Sequence, residues 1–272
     1  MKIVMTMLVR NEYDIIGDNI EYHLQNGVNH FIITDHHSND NTHEVLKSYQ
    51  RMGVVDFRVE HSHEHHQAQW VTEMARKAYD YYEADWVINN DADEFWMPQK
   101  GNLIEFFESI PDNIYKMHIH RFDFFYRPFK RLKFYQAMLF REFQKGKWTK
   151  CCHRGSSDIV VEVGNHNAES QSMTQKGMDA SGTDDLIIFH FPVRTQERYQ
   201  RKMIEGTASV LSTPGIPPEM FFHWKRTLQY IQQNKFEEYL KEYSRTIDQV
   251  NDGIRNWSIV FDDRLQKFFD SR

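Results

Sequence analysis

Two aspartates one residue apart, Asp91 and Asp93, sit in Asn90-Asp91-Ala92-Asp93-Glu94-Phe95-Trp96, directly after the apolar run Trp86-Val87-Ile88. Carboxylates crowded at the end of a buried strand are hard to solvate and call for a cation. Oxygen donors select hard ions, Mg2+ or Mn2+, and a partly open shell leaves room for phosphate oxygens. A solvated acidic turn is the competing interpretation, and a position at the end of a buried strand weighs against it. A second acidic position, Asp35, ends the apolar stretch before His36-His37-Ser38; its plainer interpretation is a turn or helix-capping Asp. Histidine is abundant, with nine of fifteen between His23 and His66. His61, His63 and His65 would share one face of an extended segment, with His66 next to them. Zinc is the weaker interpretation of that group and a solvated loop the stronger. Cys151 and Cys152 are adjacent, lack metal-ligand spacing and read as structural.

These side chains need a frame, and the first 97 residues supply one. Ile3 to Val9 is almost continuously apolar, as a strand covered on both faces should be. Glu12 to Asn26 reads as a helix stopped by Gly27, and His30 to Thr34 as a second strand. Asn41 and Glu44 have capping-box spacing for a helix that ends at Gly53. Val54 to Val59 is a third strand, and Ala68, Val71, Met74, Ala75, Ala78 and Tyr82 form a helical stripe. Trp86 to Ile88 is the fourth strand. Such alternation predicts βαβ units, right-handed crossovers and a parallel sheet. Ligands of such sheets gather beyond the carboxyl ends of the strands, where Asp35 and Asp91/Asp93 both fall, so one pocket could hold both. Beyond residue 97 the spacing predicts a helix after Asn102, a strand near Tyr115 to His120, and an apolar strand from Leu186 to Phe189. Helices follow from Thr195, with Tyr199, Met203 and Ile204 on one face, and near Phe236 to Val250. Thr213-Pro214-Gly215-Ile216-Pro217-Pro218 is a loop between them.

The chain has 272 residues, 40% hydrophobic and 26% charged, which excludes wholesale disorder. A net charge of −6 argues against a generic polyanion binder. Charge is nonetheless uneven: Lys116 to Lys150 holds ten Lys/Arg against Asp123 and Glu142, a local +8. Aromatic residues interleave with these cations. Such a stretch suits nucleic acid, an anionic glycan or a lipid–water interface, or simply covers a core. Two neighbouring cysteines fit a reducing compartment. The seven-residue apolar stretch before Arg10 is short for a signal peptide, and no run approaches the length of a spanning helix. The expected setting is cytoplasmic, with peripheral attachment to the inner face of a membrane compatible with the basic stretch.

Several motifs together resemble family 2 glycosyltransferases of the GT-A fold. Met7-Leu8-Val9-Arg10-Asn11-Glu12 is similar to the family's first-strand motif. Ile32-Ile33-Thr34-Asp35-His36-His37-Ser38-Asn39-Asp40-Asn41-Thr42 resembles its strand, Asp, polar-turn segment. Gln69-Trp70-Val71 and Ala84-Asp85-Trp86 through Trp96 resemble the approach to its Asp-x-Asp motif. Looser echoes are His153-Arg154, Gly164-Asn165-His166, His190-Phe191-Pro192 and His223-Trp224, so the resemblance spans roughly residues 3–225.

The resemblance implies transfer of a sugar, in the expected case a hexose, from a nucleotide-diphosphate donor, UDP- or GDP-linked. The acceptor is a hydroxyl on a glycan or a lipid-linked molecule, the configuration inverts, and polysaccharide biosynthesis is the setting. On that basis Mn2+ or Mg2+ is expected at Asp91, Asp93 and His190. Asp93 holds the ion between the two phosphates; Asp91 lies near the donor ribose or reaches the ion through water. For His190 a buried histidine bonded to backbone is an equal alternative. Val9, Arg10, Asn11 and Glu12 would line the base, and Asp35 would accept from a base NH or the ribose. A general base is required on the acceptor hydroxyl. Glu94, His166, Asp158 and Asp123 are candidates, with Glu94 and His166 preferred, and His153 and Arg154 are expected on the acceptor side. No nucleic-acid partner is expected.

The fold class is therefore α/β, a GT-A-like, mostly parallel sheet flanked by helices. The catalytic domain is 1–194, with a donor half 1–97 and an acceptor half 98–194, and 195–272 is a helical C-terminal extension. Two rivals remain. A nucleotidyltransferase would want a Gly-rich loop after the first strand, where this chain has Arg-Asn-Glu-Tyr and no glycine before Gly17. A non-catalytic glycan-binding protein would have no need of the Asp91/Asp93 pair.

Overall fold

The computed structural model describes residues 1–175, 177–181, 183–217 and 220–272. The chain divides into two compact units. The first comprises Met1–Ser62, His66–Arg121 and Lys147–Ile188, and the second His63–His65, Phe122–Gly146 and Phe189–Arg272. The units thus cut the chain elsewhere than after residue 194: residues 122–146 and 189–194 go with the C-terminal helices.

The first unit is built on a sheet. Its opening strand β1 (Ile3–Val9) is buried almost throughout, because it lies between β2 (His30–His36) and β4 (Trp86–Asn90), parallel to both. A third parallel neighbour, β3 (Val55–Glu60), pairs with β2. Strands covered on both faces read as unbroken apolar runs, which is why this half was legible.

The helices α1 (Ile16–Gln25), α2 (Thr42–Arg51) and α3 (Gln67–Asp80) make the crossovers. Helix α3 buries Trp70, Val71, Met74, Ala75 and Ala78, and this stripe packs with Val4, Ile32 and Val87 of the strands. Val71 and Met74 each contribute about 1.5–3 kcal/mol by leaving water. Helix α1 starts four residues later than expected. Residues before it form a turn, with Glu12 O accepting from Ile15 N and Ile16 N and Glu12 N donating to Thr42 Oγ1 at 2.8 Å. Gly27 ends the helix region at φ +102, and a Cβ there would meet the Ile104 side chain at 2.6 Å.

Past the acidic turn the chain enters an unforeseen strand, β5 (Glu94–Pro98), every residue of it buried. Helix α4 (Leu103–Glu108) begins as its spacing predicted, Asn102 Oδ1 accepting from Glu105 N. Strands β6 (Ile114–Asp123), β7 (Phe140–Glu142) and β8 (Thr149–Arg154) follow. In the large sheet the order is β3-β2-β1-β4-β8-β6, then the strand Leu186–His190, then β5. Strand β8 runs antiparallel to β4 and β6, with Trp86 opposite Arg154 and His120 opposite Thr149. The start of β8 therefore lies at the carboxyl edge of the parallel strands, and its end lies at the opposite edge. The α/β class, the helix-flanked sheet and the helical C-terminal part are as expected.

The second unit packs the helices Gln196–Ser212, Phe222–Gln232 and Phe236–Leu240 around Tyr126, Val193, Tyr199, Met203, Phe236, Tyr239 and Leu240. Ile204, expected on the inner face, is 45% exposed. The helix expected over 236–250 is two helices, the second being Ile247–Arg255 behind a Thr246–Gln249 capping box. In the expected loop 213–218, Thr213 closes the helix Gln196–Ser212, and Pro218 lies outside the described residues. Among the described residues no helix is long and apolar enough to cross a membrane.

Candidate active site

The acidic turn between β4 and β5 is tight, Glu94 N donating to Asp91 O at 3.0 Å. It is pinned from outside by α1. Asn19 Nδ2 donates to Ala92 O at 3.0 Å and to Glu94 O at 2.7 Å. Asn90 Nδ2 donates to Glu94 O at 3.2 Å, and Trp96 Nε1 donates to Asn90 Oδ1 at 2.9 Å. His23 is wholly buried; desolvation lowers its pKa to about 3, so it is neutral, and its Nε2 accepts from Trp96 N at 3.1 Å. Buried amides and an imidazole with few free valences fix a backbone better than solvated ones. Asp93 is 3% exposed and Glu94 fully buried.

Two cations absent from the sequence-based site converge on this turn. Lys150, the second residue of β8, is buried, and its Nζ donates to Asp91 Oδ2 and, at 3.0 Å, to Gly164 O. It also lies 3.5 Å from Glu94 Oε2. Arg121 Nη1, from the end of β6, is 3.3 Å from Glu94 Oε1. Burial alone would lower the Lys150 pKa, but Asp91 and Glu94 outweigh it and hold the ammonium above its ordinary range. The other Asp91 oxygen accepts from Asn165 Nδ2 at 3.1 Å. The strand pairing explains the convergence, since β8 begins and β6 ends at the carboxyl edge of β4.

Beside Asn165 stands His166. Its Nδ1 is 2.6 Å from Thr149 O, an acceptor only, so Nδ1 carries the proton and Nε2 is the basic nitrogen. Desolvation lowers its pKa below the ordinary histidine value, which keeps it neutral at pH 7. The half-exposed Trp148 ring lies 5.2 Å from it. Gly164 has φ +80, and a Cβ there would strike the His166 ring at 2.6 Å. Only glycine fits this approach.

On the neighbouring strand ends, Asp35 is 1% exposed. Its Oδ1 accepts from Ser38 N at 3.1 Å, and its Oδ2 is 3.5 Å from His43 Nδ1. Ser38 Oγ accepts from Asn11 N at 2.9 Å, and Asn11 Oδ1 from Asn39 N at 2.8 Å. The segment Val9-Arg10-Asn11-Glu12 is thereby laced to the turn after β2, Asn11 adopting φ 56. Asp35 thus supports the turn after β2.

Other expected residues are not brought here. His153 and Arg154 lie toward the far edge of the sheet, about four strand residues (~13 Å) from Lys150. His153 is buried, its pKa lowered by desolvation to about 4. Arg154 spends its guanidinium on Ile114 O at 2.9 Å and Pro111 O at 3.1 Å. The antiparallel course of β8 places this pair toward the edge opposite the acidic turn. Asp158 accepts from Ser156, Ser170 and Ser172, which hold its carboxyl well below the usual range, a poor setting for a base. In the second unit His190 is not simply bonded to backbone: its Nδ1 is 2.7 Å from Asp123 Oδ1.

The four clustered histidines are divided between units, His61 and His66 in the first and His63 and His65 in the second. Cys151 and Cys152 are buried, unbridged thiols, both pushed up by desolvation, Cys151 to about 12. Among the described residues no group of three or more His, Cys, Asp or Glu side chains could hold a metal ion. Both Asp91 oxygens being engaged by Lys150 and Asn165, the donor set does not fit an ion held by Asp91. Asp93 is the other carboxylate of the pair, and oxygen donors of that type are what a hard divalent cation would take.

A parallel half-sheet with an acidic turn and a polar strand-end lacing along its carboxyl edge defines an α/β protein, and ligands of such sheets gather beyond the carboxyl ends of the strands. Residues 4–203 match the family model described as glycosyltransferase family 92. The chain belongs to glycosyltransferase family 92. The resemblance read from the motifs was to family 2; the two agree on the class, glycosyltransferase, and differ on the branch. No curated protein sequence matches the chain.

Among solved structures, the chain is similar to S. aureus TarS 1-349 in complex with UDP-GlcNAc, at 12% identity and TM-score 0.49, over 91% of this chain and 74% of that one. It is also similar to the mannosyltransferase PcManGT from Pyrobaculum calidifontis in complex with GDP-Man and Mn2+, at 11% identity and TM-score 0.43, over 87% and 72%. A third is glucosyl-3-phosphoglycerate synthase from Mycobacterium tuberculosis with Mn2+, UDP and glucosyl-3-phosphoglycerate, at 15% identity and TM-score 0.32, over 45% and 44%.

Proposed function

We propose that this glycosyltransferase moves a hexose from a UDP- or GDP-sugar to a hydroxyl of a glycan or lipid-linked acceptor, with inversion. Residues 1–194 are taken as its catalytic portion. The observation that carries the reading is the Asp91–Glu94 turn, buried from Ala92 to Glu94 and locked by Asn19 at the same sheet edge as the Asn11–Ser38–Asp35 lacing. The base and ribose are assigned to the edge formed by Val9, Arg10, Asn11, Glu12 and Asp35, and the diphosphate to the Asp91–Asp93 turn as an Asp-x-Asp motif. Mn2+ or Mg2+, taken by Asp93, would neutralise charge on the departing diphosphate. His190 keeps its proposed role as an imidazole ligand on the strength of the motif resemblance alone.

For inversion, the acceptor oxygen bonds to the anomeric carbon as the bond to the diphosphate oxygen breaks on the opposite face, and the hydroxyl proton goes to a base. His166 is the better of the two preferred candidates. Its ring is neutral, and its proton is parked on Nδ1 by Thr149 O. Glu94 is fully buried, its two carboxylate oxygens already facing Arg121 at 3.3 Å and Lys150 at 3.5 Å. The setting is proposed as cytoplasmic, at the inner face of a membrane, within polysaccharide biosynthesis, with the exposed Arg127, Lys130, Arg131, Lys133, Lys145 and Lys147 of the basic stretch as support.

The test is thermal unfolding with UDP and GDP, each with and without Mn2+. Ligand at a hundred times its dissociation constant should stabilise by about 2.7 kcal/mol, or about 5–10 °C for a chain of this size. No shift with any nucleotide would contradict the reading.

A further inference from the structure

A buried lysine is rare unless paired, and Lys150 sits inside the candidate site with two hydrogen bonds and a second carboxylate close by. It donates to Asp91 Oδ2 and to Gly164 O at 3.0 Å, and it lies 3.5 Å from Glu94 Oε2. The remaining Asp91 oxygen takes Asn165 Nδ2 at 3.1 Å. Arg121 completes the set on Glu94 at 3.3 Å. Two fixed cations thus face two carboxylates, and the group is neutral without any added ion. A divalent cation on Asp91 would have to displace an ammonium that has no water to retreat into, or share one carboxylate with it at contact distance. Like charges at that separation in a desolvated site repel strongly.

We propose that Lys150 is a built-in counter-ion that withholds Asp91 from metal coordination, leaving Asp91 to position the turn and Asp93 to serve any divalent cation. The second half of this statement rests on the metal-assisted reading above; the first half does not.

The full-length chain and its Asp91→Asn and Asp93→Asn variants decide it in two arms. In EDTA, Asp91→Asn should unfold at least about 5 °C below wild type, because breaking one partner from a buried pair strands a charge. Were Asp91 a metal ligand facing a second bare carboxylate, removing its charge would raise the metal-free melting temperature instead. An unchanged or raised value therefore overturns the proposal. In the second arm, Mn2+ alone is titrated and followed by electron paramagnetic resonance. Asp91→Asn should bind within about twofold of wild type and Asp93→Asn about tenfold or more weakly. Equal losses in the two variants would overturn the proposal. A wild-type chain that binds no Mn2+, even with UDP or GDP, would count against the metal-assisted reading, and the EDTA arm would still decide the counter-ion role.

Discussion

His166 shows how one side chain is set up by backbone alone. The Thr149 carbonyl chooses its tautomer, Gly164 makes room for its ring, and desolvation keeps it uncharged. Substituting His166→Ala should lower turnover by about 10²–10⁴-fold, the usual worth of a positioned base, while nucleotide-induced stabilisation stays as in wild type. Unchanged turnover would pass the role to another group. Gly164→Ala asks the same question from the backbone side. It forces a Cβ into the His166 ring at 2.6 Å and strains a residue at φ +80. The expected outcome is lost turnover with the melting temperature down by only a few degrees, about 1–2 kcal/mol of strain. Lys150 and Arg121, not singled out from the sequence, gave a signal only as members of a basic stretch. Their partners lie far away in the chain, and charge composition does not say which cation is buried.

At the scale of elements, the turn after β4 is held by helix α1. Asn19 of α1 donates to both Ala92 O and Glu94 O. Asn19→Ala leaves two buried carbonyls with fewer donors and should cost about 1–3 kcal/mol. The melting point should fall by about 3–9 °C, and nucleotide affinity should weaken with it. A destabilised variant with wild-type affinity would separate the turn from donor binding. Legibility followed the same elements. Strands β1, β2 and β4 are largely buried and helix α3 is a periodic apolar stripe, so local pattern equals tertiary role there. Strand β5 escaped because Glu94 and Pro98 bracket only three apolar residues. Strand β8 escaped because Thr149 and Lys150 are polar residues made burial-worthy by remote partners. Its antiparallel direction, invisible in the sequence, sent Lys150 to the site and His153-Arg154 away from it.

For the whole molecule, buried neutral histidines make stability depend on acidity. His23 and His153 have pKa values lowered to about 3 and about 4 in the fold against 6.5 in the unfolded chain. Below pH 6.5 the unfolded state binds protons that the native state refuses, so stability falls as pH falls, down to about pH 4. The slope should approach 1.4 kcal/mol per pH unit for each histidine. Denaturant unfolding at pH 7.0, 6.0 and 5.0 would show it, and a flat profile would contradict the burial of these rings. The uneven charge has its own consequence. Reversing Lys130, Arg131 and Lys133 should weaken binding to anionic vesicles and leave neutral vesicles unaffected; equal binding by wild type and variant would remove the membrane from the account.

The central claim is that the acidic turn supports departure of a nucleoside diphosphate from a sugar. Its most direct measurement is release of free UDP or GDP from a panel of nucleotide sugars by wild type and Asp93→Asn, each confirmed as folded. The account predicts release from at least one donor, suppressed by a chelator and reduced at least about a hundredfold in the variant, the scale of one lost transition-state charge contact. Equal release by the two proteins, indifferent to chelator, would contradict it.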